Sequence, residues 1–220
     1  MSAIDIAESR MPPLGLPTSE RRSFRGGSAS PLTQMRNQLI AIVKDRGLKR
    51  FDEAVQLASG ELSHDFIDGK QALAEGEHLE LACRALIEAV KGRGIEWDAV
   101  GGLTLGADQF AHVTAVLAKR RWFVVRKQTK GRGTNKRVEG ADIDSTTRVL
   151  LVDDVVTTGG SIQEAYRVIK ETGAQVVGAV TLVDRGYTAS AFFQNEGVPY
   201  EPLVTFDDLG IIPVGGRVAA

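Results

Sequence analysis

A single cysteine, Cys83, stands in the 220 residues. That excludes an internal disulfide and a thiolate metal cluster, and it suits a reducing cytosol. The plain reading of Cys83 is a small apolar residue on a helix face. No apolar run approaches the ~18 residues that a membrane-spanning helix needs. The opening stretch MSAIDIAESRMPPLGLPTSERRSFRGGSASP lacks the apolar segment of a secretion signal, so a cytoplasmic protein with no membrane partner is expected. An excess of charge is also missing: 27 Lys and Arg against 28 Asp and Glu leave a net charge of -1. No global field draws the chain to nucleic acid or an anionic surface, and any electrostatic function must be local. The three histidines, His64, His78 and His112, share no ligand spacing, so no metal site falls on them. Internal repeats are absent as well.

What is there is an ample core. Hydrophobic residues make up 43% of the chain, enough for one domain with decorations. Residues 1–30, rich in Pro, Gly, Ser and Arg and without periodicity, are expected to form a flexible tail. Residues 31–220 form the domain. Met35, Leu39, Ile42 and Val43 recur at helical spacing until Gly47. FDEAVQLASGELSHDFIDGK, broken by Gly60 and Gly69, reads as short strands and turns. His78 to Val90 is helical by period. DAVGGLTLGAD is a short strand breaking into glycines before a helical pattern from Phe110 to Leu117. Trp122 to Val125 is a compact strand, followed by a basic loop to about Gly140. Val149 to Val152 is wholly apolar, as a parallel strand covered on both faces should be. SIQEAYRVIKETG is helical, Val176 to Val183 a buried strand, TASAFFQNEG a short helix, and Pro202 to Phe206 an edge strand. Trp97 and Trp122 read as core or rim aromatics.

Strands alternating with helices specify an α/β fold with a parallel central sheet flanked by helices. In such sheets ligands bind beyond the carboxyl ends of the strands. Four strands end in unusual chemistry: GGLTLGAD, RKQTKGRG, DDVVTTGGS, and Asp184 with Arg185. All four should gather on one rim.

The stretch VLLVDDVVTTGGS, Val149 to Ser161, is the most informative. A strand, a Thr/Gly turn and a helix present backbone N–H groups at a helix N-terminus, which suits phosphate. Asp153 and Asp154 would repel that phosphate if they faced it. They suit sugar hydroxyls, or the coordination shell of Mg²⁺. Ser161 and Glu164 match a capping box, the structural reading of that serine. A Walker A loop needs Gly-Lys-Ser/Thr, which the chain lacks, and GGLTLGAD fails the dinucleotide G-x-G-x-x-G spacing. VLLVDD also occurs in phosphorylation receiver domains, but no acceptor aspartate follows around Gly197 to Leu203. Between Lys119 and Arg137 stand nine basic residues and no acid. That run is an electrostatic target for a polyanion; alone, it also reads as a solvated face or nucleic-acid patch.

VLLVDDVVTTGGS resembles the phosphoribosyl-pyrophosphate signature of the type I phosphoribosyltransferases. LASGELSHDFID resembles the early SG-x-x-S-x-x-aromatic-x-D element of the orotate phosphoribosyltransferases, through Ser59, Gly60, Ser63, Phe66 and Asp68. VGGLTLGAD resembles their pyrophosphate loop, VVRKQTKGRG their mobile R-K-x-x-K-x-H-G loop, and LVDRG a strand end with a base-contacting arginine. The likeness runs in order from Leu32 to Leu209. It implies the type I phosphoribosyltransferase fold with a small N-terminal hood. It also implies transfer of phosphoribosyl from phosphoribosyl pyrophosphate to orotate, giving orotidine 5'-phosphate and pyrophosphate in pyrimidine biosynthesis.

The roles implied are these. Asp153 and Asp154 hold the ribose hydroxyls, and Val155, Val156, Thr157, Thr158, Gly159, Gly160 and Ser161 wrap the 5'-phosphate. Arg126, Lys127, Lys130 and Arg132 meet the pyrophosphate, with Lys127, Lys130, Asp153 and Asp154 as the catalytic set. Phe66, Ile67, Thr157 and Arg185 contact orotate. Mg²⁺ enters on the substrate's pyrophosphate with no direct protein ligand, and the partner is a second copy in a homodimer that shares the mobile loop. Displacing pyrophosphate builds positive charge on the ribose and negative charge on the leaving group, which a preorganised, dry site stabilises. A glycine-dotted basic loop can close over such a substrate.

Departures from the pattern leave alternatives open. Arg132 stands where the family's loop has histidine; it can grip pyrophosphate bidentately but cannot trade protons near neutral pH. Phe66 replaces the usual tyrosine, and TNKRVEG is unusually basic. A transferase acting on another base, or a non-catalytic regulator that binds phosphoribosyl pyrophosphate, are the alternatives.

Overall fold

The computed structural model of the chain describes residues 29–57, 59–128 and 136–215. The expected tail therefore lies almost wholly outside the described residues. Helix α1, Pro31–Ile42, starts where Ser30 accepts the Thr33 N–H and proline occupies the first turn. It runs into a π-helical turn, Val43–Gly47. A hairpin follows, β1 (Leu48–Gln56) antiparallel to β2 (Leu62–Ile67), then the short α2 (Gly69–Ala72) capped by Asp68. This hood precedes α3 (Gly76–Gly92), β3 (Ala99–Leu103), α4 (Asp108–Ala118), β4 (Arg121–Val125) and β5 (Val138–Gly140). The rest of the domain is β6 (Arg148–Val156), α5 (Gly160–Glu171), β7 (Gln175–Asp184), α6 (Thr188–Asn195), β8 (Tyr200–Thr205) and α7 (Phe206–Leu209).

Six strands form the central sheet in the order β5-β4-β3-β6-β7-β8, parallel except for β5. Each face carries its own core. Val149 and Leu151 of β6 point into a cluster with Ile162, Ala165 and Ile169 of α5. Leu150 and Val152 point the other way, against Leu86 of α3 and Phe110 of α4. Coverage on both faces explains the unbroken apolar run. Trp97 and Cys83 are buried, with burial raising the Cys83 thiol to about 11. Trp122 remains half-exposed at the rim, edge-on to His112.

Chain order reverses between β3 and β6: β4 is added outside the former, β7 and β8 outside the latter. Ligands of doubly wound sheets bind at such a switch point.

Three expectations change. The acids do not follow the strand; β6 extends through them to Val156. The basic loop does not run unbroken to Gly140, because Val138–Gly140 pairs antiparallel with β4. So short an edge strand carries no usable periodicity. The last strand starts earlier, at Tyr200, and Phe206 opens α7 through a Thr205–Asp208 capping box. It lies at the sheet edge, where Pro202 is tolerated.

Candidate active site

Two adjoining cavities occupy the rim at the switch point. The larger, about 780 Å³, is lined by Lys70 of the hood, Thr104 to Gly106 after β3, Arg126 and Lys127 after β4, and Asp153, Asp154 and Ser161. The smaller, about 120 Å³, is lined by Ser59 of the hairpin tip together with Asp153 and Val155 to Ser161. Asp153, Val155 and Ser161 belong to both.

Backbone contacts hold the acid pair. Asp153 Oδ1 accepts the Asp154 N–H at 3.0 Å, and Asp154 Oδ1 accepts the Val155 N–H at 2.7 Å. Asp153 is 3% exposed and Asp154 7%. Burial first, and the neighbouring Asp154 charge second, push the Asp153 carboxyl well above the ordinary carboxylate range. The loop after β3 presses directly on the pair. A Cβ at Gly106 would come within 2.5 Å of Asp153 Oδ1 and 2.7 Å of Asp154 Oδ1. Two buried carboxylates beside a cavity are costly for the fold, and such pairs are candidates for ligand binding.

Three residues beyond the end of β6, Gly159 takes φ +79° and turns the chain into α5. The expected Ser161–Glu164 capping box is absent. Gly159 occupies the cap position without any side-chain cap, Ser161 lies inside the first turn, and Glu164 pairs with Arg137. The first N–H groups of α5 thus meet the smaller cavity uncapped, and no acid stands in the first turn. Such a helix end favours an anion.

At the end of β7, Arg185 is 1% exposed. Its guanidinium donates to the Asp65 carbonyl at 2.8 Å and to Ser63 Oγ at 3.2 Å, both on β2, while the buried Nε has no partner among the described residues. Burial lowers its pKa against the opposing charges of Asp65 and Glu61. Its turn is shaped by Asp184, which accepts the Gly186 N–H and the Tyr200 hydroxyl.

The structure brings together Lys127, Arg126, Asp153, Asp154 and Val155 to Ser161 around these cavities. The Arg126 head pairs with Glu139 at 3.1 Å. Lys130 and Arg132 lie outside the described residues. Phe66 and Ile67 do not line either cavity; Ile67 packs in the core and Phe66 sits half-buried opposite Lys49. The sequence reading missed Lys70, whose Nζ lies 2.8 Å from Asp154 Oδ2. Its partner is 84 residues away, so no local spacing announces the pair.

A Phosphoribosyl transferase domain model matches residues 70–191. The chain is 37% identical over 175 residues to the orotate phosphoribosyltransferase of Pyrococcus abyssi, covering 80% of this chain and 95% of that one. It is 37% identical over 186 residues to the orotate phosphoribosyltransferase of Streptomyces coelicolor, covering 82% of this chain and all of that one. A crystal structure of Mycobacterium tuberculosis orotate phosphoribosyltransferase with phosphoribosyl pyrophosphate superposes with TM-score 0.65 at 30% identity, covering 80% of this chain and 99% of that one.

Proposed function

The chain belongs to the phosphoribosyl transferase family, in its orotate phosphoribosyltransferase branch, and from that premise we infer what each part of its rim does. The reaction transfers phosphoribosyl from phosphoribosyl pyrophosphate to orotate. The bond from the anomeric carbon to pyrophosphate breaks and its electron pair leaves with the pyrophosphate, while a ring nitrogen of orotate bonds to that carbon. The observation that carries the reading is the order of groups along one rim: uncapped helix N-terminus, buried acid pair, then basic cleft.

Each group suits one part of that substrate. The N–H groups at the start of α5 bind the 5'-phosphate. Asp153 and Asp154 accept the ribose hydroxyls, so the sugar is fixed where its ring gathers positive charge. Arg126 and Lys127 face the leaving pyrophosphate, with Lys130 and Arg132 following in sequence. Thr157 serves orotate at the smaller cavity, and Arg185, buried against Ser63 and Asp65 of the hood, adds positive charge toward its carboxylate.

A magnesium ion carried in by the substrate would lie beside the paired carboxyl groups of Asp153 and Asp154 at the larger cavity. Mg²⁺ on the pyrophosphate adds positive charge against the departing anion. No helix among the described residues is long and apolar enough to cross a membrane. A cytoplasmic homodimer that shares the basic loop, with residues 31–220 as its transferase domain and residues 1–30 as a tail, completes the reading. The test is loss of orotate absorbance on mixing with phosphoribosyl pyrophosphate and Mg²⁺. Consumption supports the reading. Turnover of a different base, or tight binding of phosphoribosyl pyrophosphate with no base consumed, would replace it with a transferase of other specificity or a regulator.

A further inference from the structure

Among the described residues, three cations line the larger cleft: Lys70, Arg126 and Lys127. Arg126 and Lys127 come from the end of β4. Lys70 comes from the hood on the first turn of α2, and it reaches the cleft because the residue before it is glycine. A Cβ at Gly69 would fall 2.8 Å from Val155 Cγ2 and 3.1 Å from Asp154 Cβ, so any side chain there would hold α2 away from β6. With glycine the two elements touch, and Lys70 Nζ settles 2.8 Å from Asp154 Oδ2.

This pair differs from an ordinary surface ion pair. Asp154 has an 11% exposed side chain, whereas that of Lys70 is 56% exposed at the cleft. The carboxylate is built in and the ammonium is accessible. An ammonium carries three donors, and Asp154 is the one hydrogen-bond partner of Lys70 among the described residues. Burial works against the charge on Lys70, but the bond to Asp154 and the charges of Asp154, Asp153 and Asp68 outweigh it and hold the amine protonated. A polyanion entering beside the Asp154 carboxylate meets repulsion, which a cation bonded to that carboxylate offsets directly.

We propose that Lys70 is a third pyrophosphate-binding cation, delivered by the hood and anchored on Asp154, so that one ammonium spans the ribose-binding carboxylate and the oxygens of the leaving group. The proposal rests on the reading that phosphoribosyl pyrophosphate occupies this cleft. It makes the hood part of the leaving-group site as well as a neighbour of the base.

The test compares wild type, Lys70→Met and Lys70→Arg in both reaction directions. Wild-type turnover of orotate establishes the underlying reading by itself. Loss of one charged hydrogen bond to substrate should raise KM for phosphoribosyl pyrophosphate, and for pyrophosphate in the reverse direction, by about tenfold or more in Lys70→Met. KM for orotate and for orotidine 5'-phosphate should stay within about twofold, and Lys70→Arg should recover most of the loss. Titration of magnesium pyrophosphate into the same proteins reads the site without turnover, and Lys70→Met should bind it more weakly. Unchanged pyrophosphate binding in Lys70→Met would overturn the proposal. A uniform rise of all four KM values with a lowered melting temperature, unrelieved by Lys70→Arg, would show instead that Lys70 only docks the hood.

Discussion

The central sheet and the hood are held together by different physics. Every residue of β3 is buried, and its glycines accept no side chain: a Cβ at Gly101 would lie 2.2 Å from the Phe123 carbonyl oxygen. β1 is the opposite. Seven of its nine residues are exposed, Phe51 is 41% exposed, and its pairing with β2 slips between Arg50 and Val55. The hood meets the rim through Lys70 on Asp154, Arg185 on Ser63 and Asp65, and the Gly215 N–H on Glu61, besides a small apolar patch around Ile67. The sheet is thus a rigid frame set by burial. The hood is seated both by apolar packing of Ile67, Ala72 and Leu73 and by groups of the site itself, so its seating and the site's charge are linked.

That contrast can be broken at either end. Gly101→Val should be the most damaging change, forcing β3 from β4 at a cost of about 4 kcal/mol or more, read by chemical denaturation. Gly69→Ala should cost about 1–3 kcal/mol while weakening phosphoribosyl-pyrophosphate binding disproportionately, because it parts Lys70 from Asp154; a stability loss with unchanged affinity would uncouple hood from site. Asp153→Asn should abolish turnover yet stabilise the ligand-free protein at pH 8 by about 1–2 kcal/mol. The sign follows from linkage. The folded carboxyl keeps its proton to higher pH than the unfolded one, so the folded state binds more protons above about pH 4 and wild-type stability falls as pH rises through the raised value. The variant's melting temperature should lose that slope. Ser63→Ala removes an acceptor of Arg185 and should weaken orotate by about 1 kcal/mol with phosphoribosyl pyrophosphate unaffected, separated by their two KM values. Phe51→Ser on the exposed face should change stability by less than about 0.5 kcal/mol.

The same contrast explains what the sequence discloses. β6 and β7 are apolar runs covered on both faces, and that burial is written in consecutive residues. The ligand loops are legible too, because turns and helix starts draw on a narrow set of residues, seen in TTGGS. The contact of Lys70 with Asp154 depends on how a distant helix is seated, and nothing near either residue encodes it. Ser161 misleads for a related reason: Ser-x-x-Glu satisfies a capping pattern, but the turn at Gly159 starts the helix two residues earlier and Arg137 claims Glu164. The acid pair reads as a loop because two charges seldom sit inside a buried strand.

The most direct test is a calorimetric titration of phosphoribosyl pyrophosphate with Mg²⁺ into wild type and the Asp153→Asn/Asp154→Asn double variant. The account predicts one molecule bound per wild-type chain and at least about a hundredfold weaker binding by the folded variant, since two carboxylate contacts to the ribose are lost together. Equal affinity in the two proteins, or no heat from either, would contradict it.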